Sequence, residues 1–283
     1  MKGAPDILDD GLPLPVIGIW AERKYSLVAY YASLFGSSMK DKWDARVYID
    51  LFSGAGYAKI KNTRRIVRGS PMLAIDIPDP FDKYILCEID PKWLGALKQR
   101  VSLSFPQLNV EYIDGDVNAR VTSILRSIPT PSKRFTVLSF CFVDPFNLEC
   151  LQFNTIRQLS MMYMDFLVLI PAYMDAHRNL SNYIEQSSDK VEKFLGLADW
   201  RLQWANAQST SQKFGTFITD QFGEQMKTLG YHFDGVKETI LIKNPENNSP
   251  LYRLAFFSRN PLGIQFWRDA RKGTRRQPRL FED

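Results

Sequence analysis

The chain has little cysteine, less histidine and no long apolar run. Its three cysteines, Cys87, Cys141 and Cys150, are odd in number and lack CxxC spacing, which argues against a disulfide framework and a zinc site. Two histidines, His177 and His232, are too few for a His-rich metal centre. No stretch approaches the roughly 18 to 20 apolar residues that a membrane-spanning helix needs. The opening MKGAPDILDDGLPLP lacks the apolar core of a secretory signal. These absences predict a cytoplasmic, metal-free protein that does not engage a membrane. Disorder is excluded by what is there: 19 Phe, 12 Tyr and 6 Trp in 283 residues, with 45% of the chain hydrophobic and 24% charged.

The net charge of +5 is modest, but it is unevenly spread. Residues 59–68 (KIKNTRRIVR) hold five basic side chains and no acid, and residues 268–283 hold six basic and three acidic. A body with little net charge and two basic segments suggests an anionic macromolecular partner, with ordinary solvated loops as the alternative.

The pattern along the chain is an alternation. Trp20, Leu27, Val28, Tyr31 and Phe35 recur at helical spacing. VYIDLF (47–52) is a strand running into the glycine turn at 53–56. Ser70 suits the N-cap of a helix with Pro71 at its first position. Strands are predicted at 83–90, 109–116, 135–144 and 164–173, with helices at 91–101, 117–128 and 151–164. That order predicts parallel pairing with right-handed crossovers, hence a doubly wound α/β sheet. After Pro171 the rhythm becomes helical, through 175–210 and 211–229. ETILIKN (238–244) and LYRLAFFSRN (251–260) then flank the turn-rich PENNSP, and so short a link requires an antiparallel hairpin.

In such a sheet the ligand lies beyond the carboxyl ends of the strands, at the switch point. Four ends carry suggestive residues. Asp50-Leu-Phe-Ser-Gly-Ala-Gly56 lets the backbone turn tightly and approach a ligand. Glu88 stands where a nucleoside's ribose hydroxyls would be held, while Asp90 is assigned to capping the helix at Pro91. Asp116 could accept from an exocyclic amine such as that of adenine, or cap the next helix. Asp144-Pro145-Phe146 could hold a planar, amine-bearing substrate, the carboxylate accepting its donors and the ring stacking on it.

This ordered set resembles the class I S-adenosylmethionine-dependent methyltransferases, whose sheet ends in an inserted antiparallel strand. More narrowly the chain resembles the three-Cys-motif partner family of bacterial proteins. The matching elements are Lys24, YIDLFSGAG (48–56), GSPMLAI (69–75), CEIDP (87–91), FVDPFN (142–147), FLGLADW (194–200) and YRLAFFSRNPLG (252–263). The resemblance implies an N-terminal arm and helix over 1–46 and a cofactor-binding Rossmann-like core over 47–174. A helical insertion over 175–236, a closing hairpin over 237–267 and a basic tail over 268–283 complete it. It implies S-adenosylmethionine as cofactor and a separate three-Cys-motif protein as partner. Gly54 and Gly56, with Ser53 between strand and turn, would pass beneath the methionine portion. Asp50 would hold its amino group through water, Phe52 would lie against adenine, Glu88 would take the ribose and Asp116 the adenine amine. Amino-methyltransferases of nucleic acids usually carry DPPY, whereas Phe146 and Asn147 occupy the last two places here, which leaves N-methylation open. Cytosine-5 chemistry lacks its Pro-Cys nucleophile.

Lys59, Lys61, Arg64, Arg65 and Arg68 lie between the glycine turn and the next helix, so they are predicted to overhang the pocket and meet phosphates. Trp200 and Trp204, at helical spacing, predict core or interface anchors, with base stacking as the alternative. His177 is open between a general base and a surface residue. The leading expectation is a methyltransferase acting on nucleic acid or a nucleic-acid-linked substrate. A non-catalytic partner or sensor subunit is the alternative, and an NAD-dependent oxidoreductase leaves Asp144-Pro145-Phe146 unexplained.

Overall fold

The computed structural model describes residues 7–173, 180–185 and 188–276; His177 and the last seven residues of the predicted tail lie outside them. A short strand β1 (Val16–Ile17) and helix α1 (Ala21–Met39) precede strand β2 (Ala45–Asp50). Strands β3 (Tyr57–Ile60) and β4 (Ile66–Arg68) and helix α2 (Ser70–Ile75) come next. The alternation then runs β5 (Lys83–Glu88), α3 (Pro91–Ser104), β6 (Val110–Asp114), α4 (Val117–Ser127), β7 (Val137–Val143), α5 (Phe153–Leu159) and β8 (Met164–Ile170). Helices α6 (Leu180–Ile184), α7 (Lys190–Leu195), α8 (Trp200–Ser209) and α9 (Phe214–Thr228) follow. Strands β9 (Ile240–Lys243) and β10 (Pro250–Phe257) and helix α10 (Pro261–Arg276) close the described chain.

Seven strands form one sheet in the order β6-β5-β2-β7-β8-β10-β9. β10 alone runs against the others, slotted between β8 and β9. This is the doubly wound, mostly parallel Rossmann-like sheet with an antiparallel C-terminal hairpin that the sequence predicts. β8 is buried along its whole length because helices cover both faces, which is why its sequence reads as a continuous apolar run. Successive side chains feed two cores. Val47, Ile49, Cys141 and Phe166 meet α4, α5 and the later helices, while Tyr48, Phe140, Leu167 and Phe256 meet α1, α2 and α10. Strand order reverses between β2 and β7, so the tips at Asp50 and Asp144 flank the switch point.

Three local expectations are corrected. Residues 59–68 are not a bare loop: β3 and β4 pair antiparallel, and β1 adds to β3 in parallel as a second, three-stranded sheet. Ser70 is not the N-cap of α2. Gly69 takes that place, and the Ser70 hydroxyl turns inward to the Asp50 carboxylate. Residues 268–276, read as tail, are the second half of α10. Ile264 and Trp267 anchor that helix, Trp267 stacking on Phe256 at 5.6 Å. Two of its cations are matched: Arg268 bonds Asp234 at 2.8 Å and Arg271 bonds Glu238 at 2.6 Å.

The arm before α1 is fastened by Arg100 of α3, only 3% exposed. Its guanidinium grips both Asp10 carboxylate oxygens at 2.7 Å, bonds the Leu12 and Pro13 carbonyls and rests on the Tyr57 ring. It also reaches the Ala55 carbonyl of the glycine turn at 2.6 Å. Five acceptors around one planar fork explain how a guanidinium can be this deeply buried.

Asp165 of β8 is buried against α1, with hydrogen bonds from Ser258 and Tyr31. Burial pushes its pKa up to about 7, and those two donors only partly offset that cost. A carboxyl whose pKa is higher folded than unfolded adds stability in full below its unfolded pKa, and loses it as pH rises through about 7. Asp165→Asn is therefore expected to flatten the fall in stability between pH 5 and pH 8. Urea midpoints of the two proteins should converge toward pH 5 and separate, variant above wild type, toward pH 8.

Candidate active site

The glycine turn is built by ties between neighbouring strand tips. The Ser53 amide and hydroxyl both donate to the Cys87 carbonyl at 2.9 Å. The Gly54 amide donates to Glu88 Oε2 at 2.7 Å, and the Gly69 amide to the Gly56 carbonyl at 2.7 Å. Gly54 and Gly56 have φ of +61° and +82°, the left-handed region in which a side chain is strained. They differ in what surrounds them. A Cβ at Gly54 would meet nothing within 4 Å, whereas one at Gly56 would come within 2.9 Å of Leu97. The first glycine leaves open space over the turn, and the second lets the turn pack on α3.

Glu88 is 6% exposed and also accepts from the Asp90 amide through Oε1 at 2.9 Å. Burial raises its pKa despite those amides. Asp90 caps α3 by accepting from the Lys92 and Trp93 amides, as assigned. Between the two acids Ile89 is 61% exposed, an apolar face beside the buried carboxylate. The next tip is tied on by the Gly115 amide, 3.0 Å from the Glu88 carbonyl. Asp116 forms the cap that was left open, Oδ1 accepting from the Asn118 and Ala119 amides at 2.7 and 3.2 Å. Burial, with the negative charges of Glu88, Asp50 and Asp116, pushes the Cys87 thiol up to about 12.

At the tip of β2, Asp50 is fully buried. Its carboxylate accepts from the Tyr48 hydroxyl at 3.1 Å, the Phe52 amide at 3.2 Å and the Ser70 hydroxyl. Burial pushes it up to about 7, with the Asp144 charge adding to the rise. Asp50 thus sits beneath the turn, held by those three donors. Phe52 is half-buried and packs on the larger hydrophobic core.

Asp144 follows β7, and its Oδ2 accepts from Lys24 Nζ at 2.6 Å. Lys24 is 8% exposed, its ammonium 4.7 Å from the Tyr25 ring centre and 6.0 Å from that of Tyr252. Burial works against that charge, but Asp144 and the two tyrosines outweigh it, so its pKa lies above that of an ordinary lysine. No other described residue bonds Asp144, which leaves Oδ1 for an outside partner. The Tyr252 hydroxyl is buried with no hydrogen-bond partner among the described residues. Pro145 is buried, while Phe146 is 85% exposed, a bare aromatic face next to the half-satisfied carboxylate.

Hydrogen bonds thus tie Ser53, Gly54 and Glu88 into one turn with the Gly115-Asp116 tip beside it, while Asp144 and Phe146 stand at the tip of β7, the neighbour of β2. The basic segment is less open than its sequence suggests. Arg65 pairs with Glu22 and Arg68 with Asp76, whereas Lys59, Lys61 and Arg64 are exposed with no ion pair among the described residues. Trp200 and Trp204 are core residues, packed around Phe214 and Phe217. Sequence reasoning missed Ile89, Tyr25 and Tyr252, and gave Lys24 no role. An apolar residue between two acids was the signal for Ile89; the others meet only through the fold.

No family model matches the chain, and no curated protein matches it. Solved structures similar to it include protein LPL1258 from Legionella pneumophila, 14% identical over 88% of this chain and 91% of that one, with a TM-score of 0.48. A putative O-methyltransferase from Klebsiella pneumoniae is 11% identical over 86% and 90%, with a TM-score of 0.44. A putative methyltransferase, yhhF from Escherichia coli, is 19% identical over 56% and 74%, with a TM-score of 0.36.

Proposed function

We propose that the chain is an S-adenosylmethionine-dependent methyltransferase acting on nucleic acid or a nucleic-acid-linked substrate, together with a partner protein of the three-Cys-motif kind. The observation that carries this reading is the pairing of two differently prepared carboxylates across the switch point. Glu88 is buried and braced by the glycine turn, and Asp144 keeps one oxygen open beside an exposed ring.

The residues present fit the cofactor. The space over Gly54, which a Cβ would enter, suits a chain laid across the turn. Glu88 suits a pair of ribose hydroxyls, whose donors would ease the burial of its charge. Ile89 offers an apolar face to adenine, and Asp116 can accept from its amine through Oδ2. When bound, S-adenosylmethionine supplies a methyl group on a sulfonium, which the acceptor's lone pair takes while sulfur keeps the electron pair. Asp144 Oδ1 accepts a hydrogen bond from the acceptor, orients its lone pair and receives the surplus proton, which it passes to solvent. Phe146 stacks on the acceptor's ring. Lys59, Lys61 and Arg64 on the β3–β4 hairpin supply phosphate contacts.

The Lys24–Asp144 ion pair favours a second reading, a methyltransferase-like subunit that binds cofactor as a sensor without transferring the methyl group. Cofactor binding and co-purification of a partner without label transfer select that reading.

Glu88→Ala is expected to weaken S-adenosylmethionine binding by about 30-fold or more, roughly 2 kcal/mol, by calorimetry. Asp144→Ala should bind cofactor like wild type yet abolish transfer of labelled methyl to DNA or RNA. Equal transfer by variant and wild type would remove Asp144 from the reaction. Replacing Lys59, Lys61 and Arg64 together by Gln should weaken nucleic-acid binding and reduce the slope of log K against log salt by about 2 to 3.

A further inference from the structure

The acceptor site contains a charged residue that the reaction above does not use. Lys24 projects from α1 into the edge of the apolar interface with the sheet. Its hydrogen bond there is to Asp144 Oδ2, 120 residues away in sequence. A buried ammonium is costly unless it is matched, and here the match is complete on one side only. Oδ2 and the tyrosine rings surround Nζ, while Oδ1 of the same carboxylate is left unbonded by the described residues.

We propose that Lys24 is the positioning residue of the acceptor site. By holding Oδ2 it fixes the plane of the Asp144 carboxylate and leaves a single oxygen, Oδ1, to meet the acceptor. This rests on the assignment of Asp144 to the acceptor and goes beyond it in saying what aims that carboxylate. Lys24 keeps its proton throughout, so it acts as a fixed charge and not as a base. The pair is neutral as a unit, which suits an uncharged acceptor bearing one donor hydrogen toward Oδ1. Without Lys24 the carboxylate can rotate about Cβ–Cγ and offer either oxygen, so the acceptor loses its alignment rather than its binding.

The test measures methyl transfer from labelled S-adenosylmethionine to single-stranded DNA and RNA, with cofactor affinity read separately by calorimetry. Lys24→Met is expected to lower kcat by about 100-fold, the cost of misplacing a reacting group, with acceptor KM and cofactor affinity nearly unchanged. Lys24→Arg, which restores the cation with a bulkier head, should recover to within about 10-fold of wild type. Lys24→Gln, which keeps a donor without the charge, should lie between the two and covers the case in which Met unsettles α1. A variant that raises KM at unchanged kcat would overturn the proposal, because Lys24 would then touch the acceptor itself. Parallel loss of cofactor affinity would overturn it in favour of a cofactor contact, and an unchanged kcat would leave Lys24 with no part in transfer. Each of those results leaves the methyltransferase reading intact. A wild type that binds cofactor and labels neither nucleic acid withdraws that reading and this inference together.

Discussion

The constraint on which the site depends is the cost of an ammonium in an apolar interface. Lys24 sits where α1 meets the sheet, among residues that otherwise make a core of Leu27, Val28, Tyr31 and Phe35. A charge there is tolerable only with an opposite charge in contact, and Asp144 provides it. That requirement fixes the rotation of α1 against the tip of β7, and with it the direction of the Asp144 carboxylate. The turn after β7 then follows, with Pro145 inward and Phe146 outward. A helix docked by apolar contacts alone could slide by part of a turn; an ion pair at one end sets its register.

The other carboxylates are held by a different device. Asp50 and Glu88 pair with no cation among the described residues and are stabilised by amides and hydroxyls of the turn and its flanking elements. The same hydrogen bonds therefore satisfy the acids and shape the loop. Burial raises both pKa values all the same, which reflects how little donors compensate when water is removed. One half of the site is thus organised by a salt bridge and the other by backbone donors, and the open volume above Gly54 lies in the second half.

The parallel sheet was legible because its strands are covered on both faces and leave runs such as FTVLSFCFVD in the sequence. Its closing hairpin was legible because PENNSP is too short for a crossover. The β3–β4 hairpin was not, because strands of four and three residues bearing exposed Lys59 and half-exposed Arg68 leave no apolar signature. The second half of α10 was hidden by charge: Ile264 and Trp267 are its buried anchors, and the basic run after them reads as a tail. Ser70 was misplaced because local rules allow proline at either of the first two helical positions, and the tertiary partner Asp50 decided between them. Asp116 illustrates a real ambiguity, since the residue that caps α4 also stands at a strand tip. The Lys24–Asp144 pair could not be read locally at all, its members being joined only by the docking of α1.

The way Arg100 is satisfied has a consequence for handling the protein. Four of its five hydrogen bonds go to the arm and the fifth to Ala55 in the glycine turn. Trimming the first fifteen residues, which by composition alone look dispensable, would strand a buried guanidinium against the Ala55 carbonyl of that turn. Shortened versions would inherit a distorted loop, and their loss of ligand affinity would be mistaken for a missing binding residue.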